Sequence, residues 1–286
     1  MKAPTADGLL LVDKPGGITS HAAAERARQI LETRRVGHAG TLDPLATGVL
    51  ILLVGRATRL VSFLDNEPKH YHARICFGTR TTTDDVEGDV MVEAPPPPQD
   101  VVERAIASLT GHLLQRPPAF SAKRVKGERA YAAARRGQPL VLEPVAVNVE
   151  EWRIIQRVGA EIEVEIVCSG GTYVRALARD LGEATGSAAH LAALRRLRSG
   201  RYDVRDATTM EALERGEFQL LTPADALAHM PRQSLDDFDA RRVGHGQNVS
   251  ASTPGDLAAL FHDEQLVAVA VRDGESWRPR VVMRDA

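Results

Sequence analysis

One loop of this 286-residue chain combines residue types that could do chemistry. It runs from Arg34 to Gly48 and places Asp43 between a glycine-rich run and Pro44. An Asp before a Pro most simply forms a turn or caps the N-terminus of a helix. A carboxylate can also act as a nucleophile. Long glycine-rich loops between core elements often carry binding and catalysis, so Asp43 is the first candidate for a reactive group.

Two phosphate chemistries compete for this loop. A phosphate cradle is disfavoured because no Gly-Lys-Ser/Thr follows the glycines. A metal-dependent aspartyl phosphotransferase needs a second carboxylate, and none follows Asp43 within the loop. The carboxylates between Asp84 and Asp89 could supply one, but their spacing does not match a calcium loop, and a solvated turn is the simpler interpretation. The phosphotransferase therefore stays open as an alternative.

The cysteine and targeting signals are both negative. Cys76 and Cys168 lie far apart in apolar stretches, with no C-x-x-C and no metal-ligand spacing, which indicates a reduced compartment and no structural zinc. The segment up to Asp7 has no apolar core, and the longest aliphatic run, Val49 to Val54, has six residues. We expect a cytoplasmic protein with no signal peptide, no membrane span and no metal.

Charge is balanced in sum but uneven along the chain. The 36 Lys and Arg residues face 38 Asp and Glu residues, a formal charge of -2, which excludes a strongly basic, histone-like protein. The segment from Arg116 to Arg136 nevertheless carries a local +6, and Leu194 to Arg205 carries +4. The stretch from Asp84 to Glu103 holds seven carboxylates and no Lys or Arg. Concentrated basic charge on a neutral chain is typical of a phosphate-backbone contact face.

Hydrophobic periodicity and breakers predict the elements that must position Asp43. We expect strands from Gly8 to about Lys14 and at Val49–Val54, Tyr71–Phe77, Val90–Glu93, Val145–Arg157, Glu161–Cys168, Gln265–Val271 and Arg278–Met283. We expect helices from a Thr19 or Ser20 cap to about Glu32 and at Gln99–Leu109, Glu128–Arg136, Thr172–Glu183 and Thr209–Glu214. Residues 34 to 48 are predicted to form neither a regular helix nor a strand. The mixture predicts an α+β domain over residues 1–231 and a small all-β domain over 232–286.

Three separated motifs carry a resemblance to a known family. They are Gly8 to Gly16 (GLLLVDKPG), Val36 to Gly48 (VGHAGTLDPLATG) and Cys168 to Arg175 (CSGGTYVR). Together they closely resemble the bacterial tRNA pseudouridine synthase B family. Shorter matching pieces are Lys69-His70-Tyr71, Ala189-His190-Leu191 and Leu194-Arg195-Arg196-Leu197. The resemblance spans about residues 8 to 210 in the same order, which makes the set far more specific than any one motif.

The resemblance implies a fold, a reaction and a partner. The fold would be a catalytic domain of pseudouridine-synthase type, with a mixed, mostly antiparallel sheet, a thumb-like insertion near 116–140 and a small PUA-like β domain at the C-terminus. The reaction would isomerise uridine 55 in the T-loop of tRNA to pseudouridine, without a metal or other cofactor. The partner would be the T-arm of tRNA, with no membrane and no obligate protein partner, and we expect a monomer.

The resemblance also implies a set of catalytic residues. Asp43 matches the family's catalytic aspartate, and Arg175 matches its partner arginine. A guanidinium grips a carboxylate bidentately and favours its ionised form, so we predict an Asp43–Arg175 ion pair. Tyr71 matches the tyrosine that stacks on the target uracil, and its hydroxyl could also move a proton. Attack at C1′, attack at C6 and a glycal route with proton abstraction at C2′ all remain open.

Further residues match the family's RNA-binding positions. A uridine within a folded T-loop must be extruded before it can react. His38 matches the histidine that fills the gap left by the base, Leu194 matches an apolar wall of the uracil pocket, and Tyr173 lies in a matching motif. Lys123, Arg124 and Lys126 lie in the thumb-like insertion and are expected to contact phosphates. A non-catalytic protein that binds or folds tRNA on the same scaffold stays open as an alternative.

Overall fold

A computed structural model describes residues 7–121, 123–125, 128–138 and 140–283 of the chain. The strands of the described residues are Gly8–Lys14 (β1), Val36–Ala39 (β2), Thr47–Val54 (β3), Lys69–Phe77 (β4), Thr79–Thr81 (β5), Val90–Glu93 (β6), Gly111–Gln115 (β7), Arg124–Val125 (β8), Glu128–Arg129 (β9), Val145–Val158 (β10), Glu161–Cys168 (β11), Ala189–Ser199 (β12), Tyr202–Asp203 (β13), Thr208–Thr209 (β14), Arg232–Ser234 (β15), Val249–Ser250 (β16), Leu257–His262 (β17), Gln265–Asp273 (β18) and Ser276–Val282 (β19).

The helices of the described residues are Ser20–Ile30 (α1), Gln99–Ser108 (α2), Ala130–Arg135 (α3), Val174–Ala184 (α4), Met210–Glu214 (α5), Pro223–Ala226 (α6) and Asp237–Gly244 (α7). Two 3-10 segments cover Gly55–Phe63 and Val204–Asp206. The helices and strands predicted from the sequence are present, with bounds that differ by a few residues at most. The prediction that residues 34–48 contain no strand is wrong, because β2 pairs antiparallel with β3.

The chain divides into two compact units. The first draws on Met1–Asp43, Val49–Asn66 and Arg205–Ala286. Its first part contains β1, whose apolar residues are almost wholly buried, with β14 parallel to it and β2 antiparallel to the adjoining β3. Helix α1 begins after Thr19, whose hydroxyl accepts a hydrogen bond from the Ala22 N–H at 3.0 Å, as the predicted cap requires.

The C-terminal part of this first unit has its own sheet, in the order β15-β17-β18-β19-β16. Helix α7 packs against it, so the stretch predicted as all-β contains one helix of eight residues. A separate apolar cluster lies here, and it includes Val243, Leu260, Val267 and Trp277, each fully buried. The Trp277 indole N–H donates to Gln233 Oε1 at 2.7 Å, which satisfies its polar atom. The mixed fold with a small β domain at the C-terminus is confirmed.

The second unit, Pro44–Gly48 and Glu67–Val204, is built on a sheet whose long strands run antiparallel in the order β12-β4-β11-β10-β7. Strand β11 alternates buried and half-exposed residues without interruption, which buries Ile162, Val164 and Ile166 on one face. Helix α4 packs against β12, and α2 packs against α4. The mostly antiparallel sheet predicted for the catalytic domain is therefore confirmed.

Gly48 allows an unusually close approach at the start of β3. Its φ is +104°, and a Cβ there would lie 2.2 Å from the backbone oxygen of Arg196 on β12. The backbone of a buried strand cannot move aside as a flexible side chain could. This glycine is therefore required for β3 and β12 to pair where the Asp43 loop ends.

We predict that Gly48→Ala destabilises the protein by about 2 kcal/mol more than Gly111→Ala does. Gly111 is the matched control, since its φ is +100° and nothing lies within 4 Å of an added Cβ. Both changes carry backbone strain, but only the first adds a clash with the backbone. Denaturant unfolding midpoints of the two variants measure the difference, and equal losses would contradict the role of the close approach.

Candidate active site

The loop that carries Asp43 is fastened in the first unit by Ser20. The buried Ser20 hydroxyl accepts from the Leu42 N–H at 2.8 Å and donates to the Leu42 carbonyl at 3.0 Å. Both polar groups of the residue before Asp43 are thus held by the first residue of α1. Asp43 itself is half-buried, and no helix begins at Pro44, so the interpretation of Asp43 as a helix cap is wrong.

His38 lies on β2, directly opposite Leu52 of β3. It is half-buried, and its place in the ladder fixes its backbone, so it is not part of an irregular loop as predicted.

Tyr71 lies on β4 in the centre of the second unit's sheet. It is 6% exposed and sits opposite Ile166 of β11 on one side and Arg196 of β12 on the other. Arg196 is fully buried. A strand with partners on both edges holds an aromatic ring in a fixed orientation, which suits a stacking surface.

Leu194 also lies on this sheet, in β12 and opposite Ala73. It is 7% exposed, and its carbonyl accepts from the Thr47 hydroxyl at 3.4 Å. No strand was predicted for this stretch of the sequence. Leu194 is therefore buried among sheet residues, in agreement with an apolar wall or with plain core packing.

Helix α4 begins after Tyr173, whose backbone is clamped by the side chain of Gln115. The Tyr173 N–H donates to Gln115 Oε1 at 2.8 Å, and Gln115 Nε2 donates to the Tyr173 carbonyl at 3.2 Å. Gln115 is 1% exposed and ends β7. This amide orients the first turn of α4, where Tyr173 itself supplies no side-chain cap.

Arg175 is the second residue of α4 and is 4% exposed. Its Nη1 donates to the Thr83 carbonyl at 3.0 Å and lies 3.4 Å from Asp85 Oδ2. Its Nη2 donates to the Phe120 carbonyl at 2.9 Å. The guanidinium is thus fixed by three partners far away in sequence, and it is not the surface charge that a helix position alone would suggest.

The acidic turn, defined as Thr81 to Asp89, is where the sequence interpretation fails. We expected a solvated turn, but Asp84 is 6% exposed and Asp85 is 3% exposed. Asp85 Oδ1 accepts from the Thr83 hydroxyl at 2.5 Å and from the Glu87 N–H at 3.0 Å. Buried carboxylates need such partners, and Arg175 adds a cation.

Arg179, one helical turn after Arg175, is a second buried arginine that the sequence analysis missed. Its Nη1 donates to Asp84 Oδ2 at 3.0 Å, and its Nε and Nη2 donate to Asp180 Oδ1 at 2.9 and 2.7 Å. Its Nη2 also donates to the Arg116 carbonyl at 2.8 Å. The only hint in the sequence was the four-residue spacing of Arg175 and Arg179 on a predicted helix.

Burial shapes the electrostatics of this cluster. It raises the pKa of Asp84 above its usual range, although Arg179 and Arg80 oppose the shift. Burial raises the pKa of Asp180 as well, against the pull of Arg179. For Arg179, burial lowers the pKa, but Asp180 and Asp84 outweigh it and the pKa rises. For the two carboxyl groups, the arginines thus offset part of the effect of burial but not all of it.

The basic segment from Arg116 to Arg136 is only partly described. Lys126 lies outside the described residues. Lys123 is half-buried, and its carbonyl accepts from the Ala130 N–H at 2.8 Å. Arg124 starts β8, which pairs antiparallel with β9. The thumb-like insertion inferred from the sequence stays a prediction.

The described residues contain neither a metal-binding cluster nor a membrane-spanning helix. No group of three or more His, Cys, Asp and Glu side chains there could hold a metal ion. No helix in the same ranges is long and apolar enough to cross a membrane. Cys76 and Cys168 are free, and burial raises the pKa of Cys168 to about 11.

Comparison with known proteins shows which family this chain is similar to. Residues 28–174 match the model of the TruB family pseudouridylate synthase N-terminal domain, and residues 175–229 match that of the tRNA pseudouridylate synthase B C-terminal domain. A relative from Thermobifida fusca, named tRNA pseudouridine synthase B, is 44% identical and covers 97% of this chain and 98% of its own. A relative of the same name from Mycobacterium tuberculosis is 38% identical over 99% and 97%.

The fold has a close counterpart among solved structures. A chain in the crystal structure of the archaeal box H/ACA sRNP Nop10-Cbf5 complex has a TM-score of 0.72 at 25% identity, and the match covers 99% of this chain and 89% of that one. The family models together span most of the chain, and the curated relatives span nearly all of it. This chain therefore belongs to the TruB family of pseudouridine synthases.

Proposed function

We propose that this enzyme converts uridine 55 in the T-loop of tRNA to pseudouridine, with Asp43 as the attacking carboxylate. The names of its relatives support tRNA as the substrate. The observation that supports the chemistry most is the buried guanidinium of Arg175, fixed by the carbonyls of Thr83 and Phe120 and by Asp85. A buried, fixed cation is what a carboxylate needs in order to stay ionised beside RNA phosphates.

The reaction is an isomerisation and needs no redox partner. The N1–C1′ bond breaks, the uracil rotates, and a C5–C1′ bond forms in its place. C5 loses its proton to solvent, and N1 gains one, so atoms and electrons balance. An ionised carboxylate can stabilise or capture the electrophilic intermediate, and the detached uracil has to stay bound between the two steps.

The remaining residues serve base extrusion and binding. Tyr71 offers its ring face to the uracil, where stacking contributes about 1 to 3 kcal/mol per base. Leu194 supplies apolar contact, and His38 takes the place that the extruded base leaves in the loop. Tyr173, which directly precedes α4, is a further residue of this RNA-binding set. Lys123, Arg124 and Lys126 contact the phosphates of the T-arm, and the enzyme acts as a cytoplasmic monomer without a cofactor.

We predict that Asp43→Asn lowers turnover at least about 10³-fold, because an amide cannot replace the nucleophilic carboxylate. The assay follows release of tritium from C5 of uridine in an unmodified tRNA transcript. The variant should still bind tRNA, which a filter-binding assay checks.

Two controls make this test specific. Asp100→Asn removes an exposed carboxylate from the first turn of α2 and should leave turnover unchanged. A transcript with cytidine at position 55 should release no label above background with the unchanged enzyme. Full release by Asp43→Asn would overturn the catalytic assignment, and release from the cytidine transcript would overturn the position.

We predict that Arg175→Lys lowers turnover about 10-fold to 100-fold and changes tRNA affinity far less. Lysine keeps the positive charge but lacks the planar guanidinium. It therefore cannot bind the Thr83 carbonyl, the Phe120 carbonyl and a carboxylate at the same time. Single-turnover rates and filter-binding constants separate the two effects. Equal losses of rate and affinity would show that Arg175 serves RNA binding alone.

We predict that replacing Lys123, Arg124 and Lys126 with Gln reduces the slope of log affinity against log salt by up to about 3. Each lost phosphate contact removes close to one released counterion. The control replaces Arg104, Arg215 and Arg278 with Gln. These arginines are exposed and paired with nearby carboxylates, and the control has the same net charge as the first variant because both lose three cations. A slope that stays unchanged in the first variant would remove the thumb-like insertion from the contact surface.

A further inference from the structure

Two arginines on α4 hold the same two segments of the second unit. Arg175 binds Asp85 of the acidic turn and the carbonyl of Phe120, while Arg179 binds Asp84 and the carbonyl of Arg116. The arginines lie four residues apart, as do the two carbonyls. Each arginine therefore binds one of two adjacent aspartates and one of two equally spaced carbonyls. The contacts of Arg179 lie one helical turn after those of Arg175.

The guanidinium of Arg179 is bound by several groups of the protein. Asp84 and Asp180 bind its guanidinium, and the carbonyl of Arg116 binds its Nη2. Its side chain is 8% exposed, so RNA phosphates have little access to it. A buried pair of this kind contributes little net stability, whereas removal of one partner leaves the other as an uncompensated buried charge.

The segments that Arg179 joins line one open cleft. Its volume is about 580 Å³, and Met91, Phe120 and Leu142 are among its lining residues. Asp84 also has a φ of +61°, which is an unfavourable conformation for a residue other than glycine. The ion pair with Arg179 therefore holds a turn whose backbone is strained.

The acidic turn is also connected to the sheet that carries Leu194. The Leu191 N–H donates to the Asp84 carbonyl at 3.0 Å, and the Val86 N–H donates to the Leu191 carbonyl at 3.0 Å. A displaced turn would therefore pull on both β12 and the Thr83 carbonyl that holds Arg175. The position of Arg175 depends on the turn that Arg179 anchors.

We propose that Arg179, with Asp84 and Asp180, is a positioning residue for the reaction. It fixes the acidic turn and the base of the thumb-like insertion, and through them it sets the guanidinium of Arg175. The inference rests on the proposed catalytic role of Arg175.

The test compares Arg179→Gln and Asp84→Asn with Arg179→Lys and the unchanged enzyme. We expect Arg179→Gln to lower the single-turnover rate of tritium release about 10-fold to 100-fold, as small misplacements of a reactive group do, with tRNA affinity within about 3-fold. Arg179→Lys should recover part of that rate. Arg80→Gln is the control, because Arg80 lies near Asp84 at 3.8 Å but binds Glu183 and not the thumb base.

Coupling to Arg175 decides between positioning and general stability. In an Arg175→Lys background, Arg179→Gln should cost much less than it does alone, since the group it positions is already impaired. Fully additive losses, or an unchanged rate with only a lower melting temperature, would overturn the proposal.

Hydrogen exchange provides a readout that does not depend on the reaction. Arg179→Gln should speed amide exchange at least about 10-fold in residues 81–89 and 111–121, while Arg80→Gln should not. Unchanged exchange would overturn the inference even if the enzyme is active. If the wild-type protein releases no tritium while Arg179→Gln still speeds amide exchange, only the proposed function is overturned.

Discussion

The burial of Arg175 is the constraint on which the second unit depends. A guanidinium that is 4% exposed must be compensated, because removing a cation from water costs several kcal/mol. Asp85 and two main-chain carbonyls provide that compensation, and they come from segments 55 and 92 residues away. Helix α4 can bury such a residue because almost all of its sides face protein. Gly182 allows the close approach of β12, since a Cβ there would lie 2.4 Å from the Ala189 nitrogen.

The same constraint explains the uneven charge of the chain. The acidic stretch that begins at Asp84 looked like a surface that merely balances basic patches elsewhere. Its first two carboxylates are instead internal partners of Arg175 and Arg179. Each of these buried pairs sums to zero, so what a polyanion meets is set by where the remaining charges lie and not by the formal sum.

The sequence predicted best the elements whose pattern is local. Strand β11 was predicted with its observed bounds, because its buried and half-exposed residues alternate without a break. Strand β12 was missed, because register shifts after Leu191 and Arg196 break its alternation and its Leu, Ala and Arg residues favour helices. The pairing of Asp84 and Asp85 with Arg179 and Arg175 could not be predicted, since these arginines lie far away in sequence and burial depends on tertiary contacts. Asp43 itself was identified through family resemblance, and composition alone left it among several kinds of loop aspartate.

Arg175 and Arg179 of α4 bind backbone oxygens of the segment from Arg116 to Phe120. The carbonyls of Arg116 and Phe120 accept the hydrogen bonds, and every amino acid offers the same acceptor at these positions. Side chains along the basic segment can therefore diverge without loosening its attachment. The attachment of this segment to α4 thus depends on main-chain atoms that a substitution at Arg116 or Phe120 does not remove.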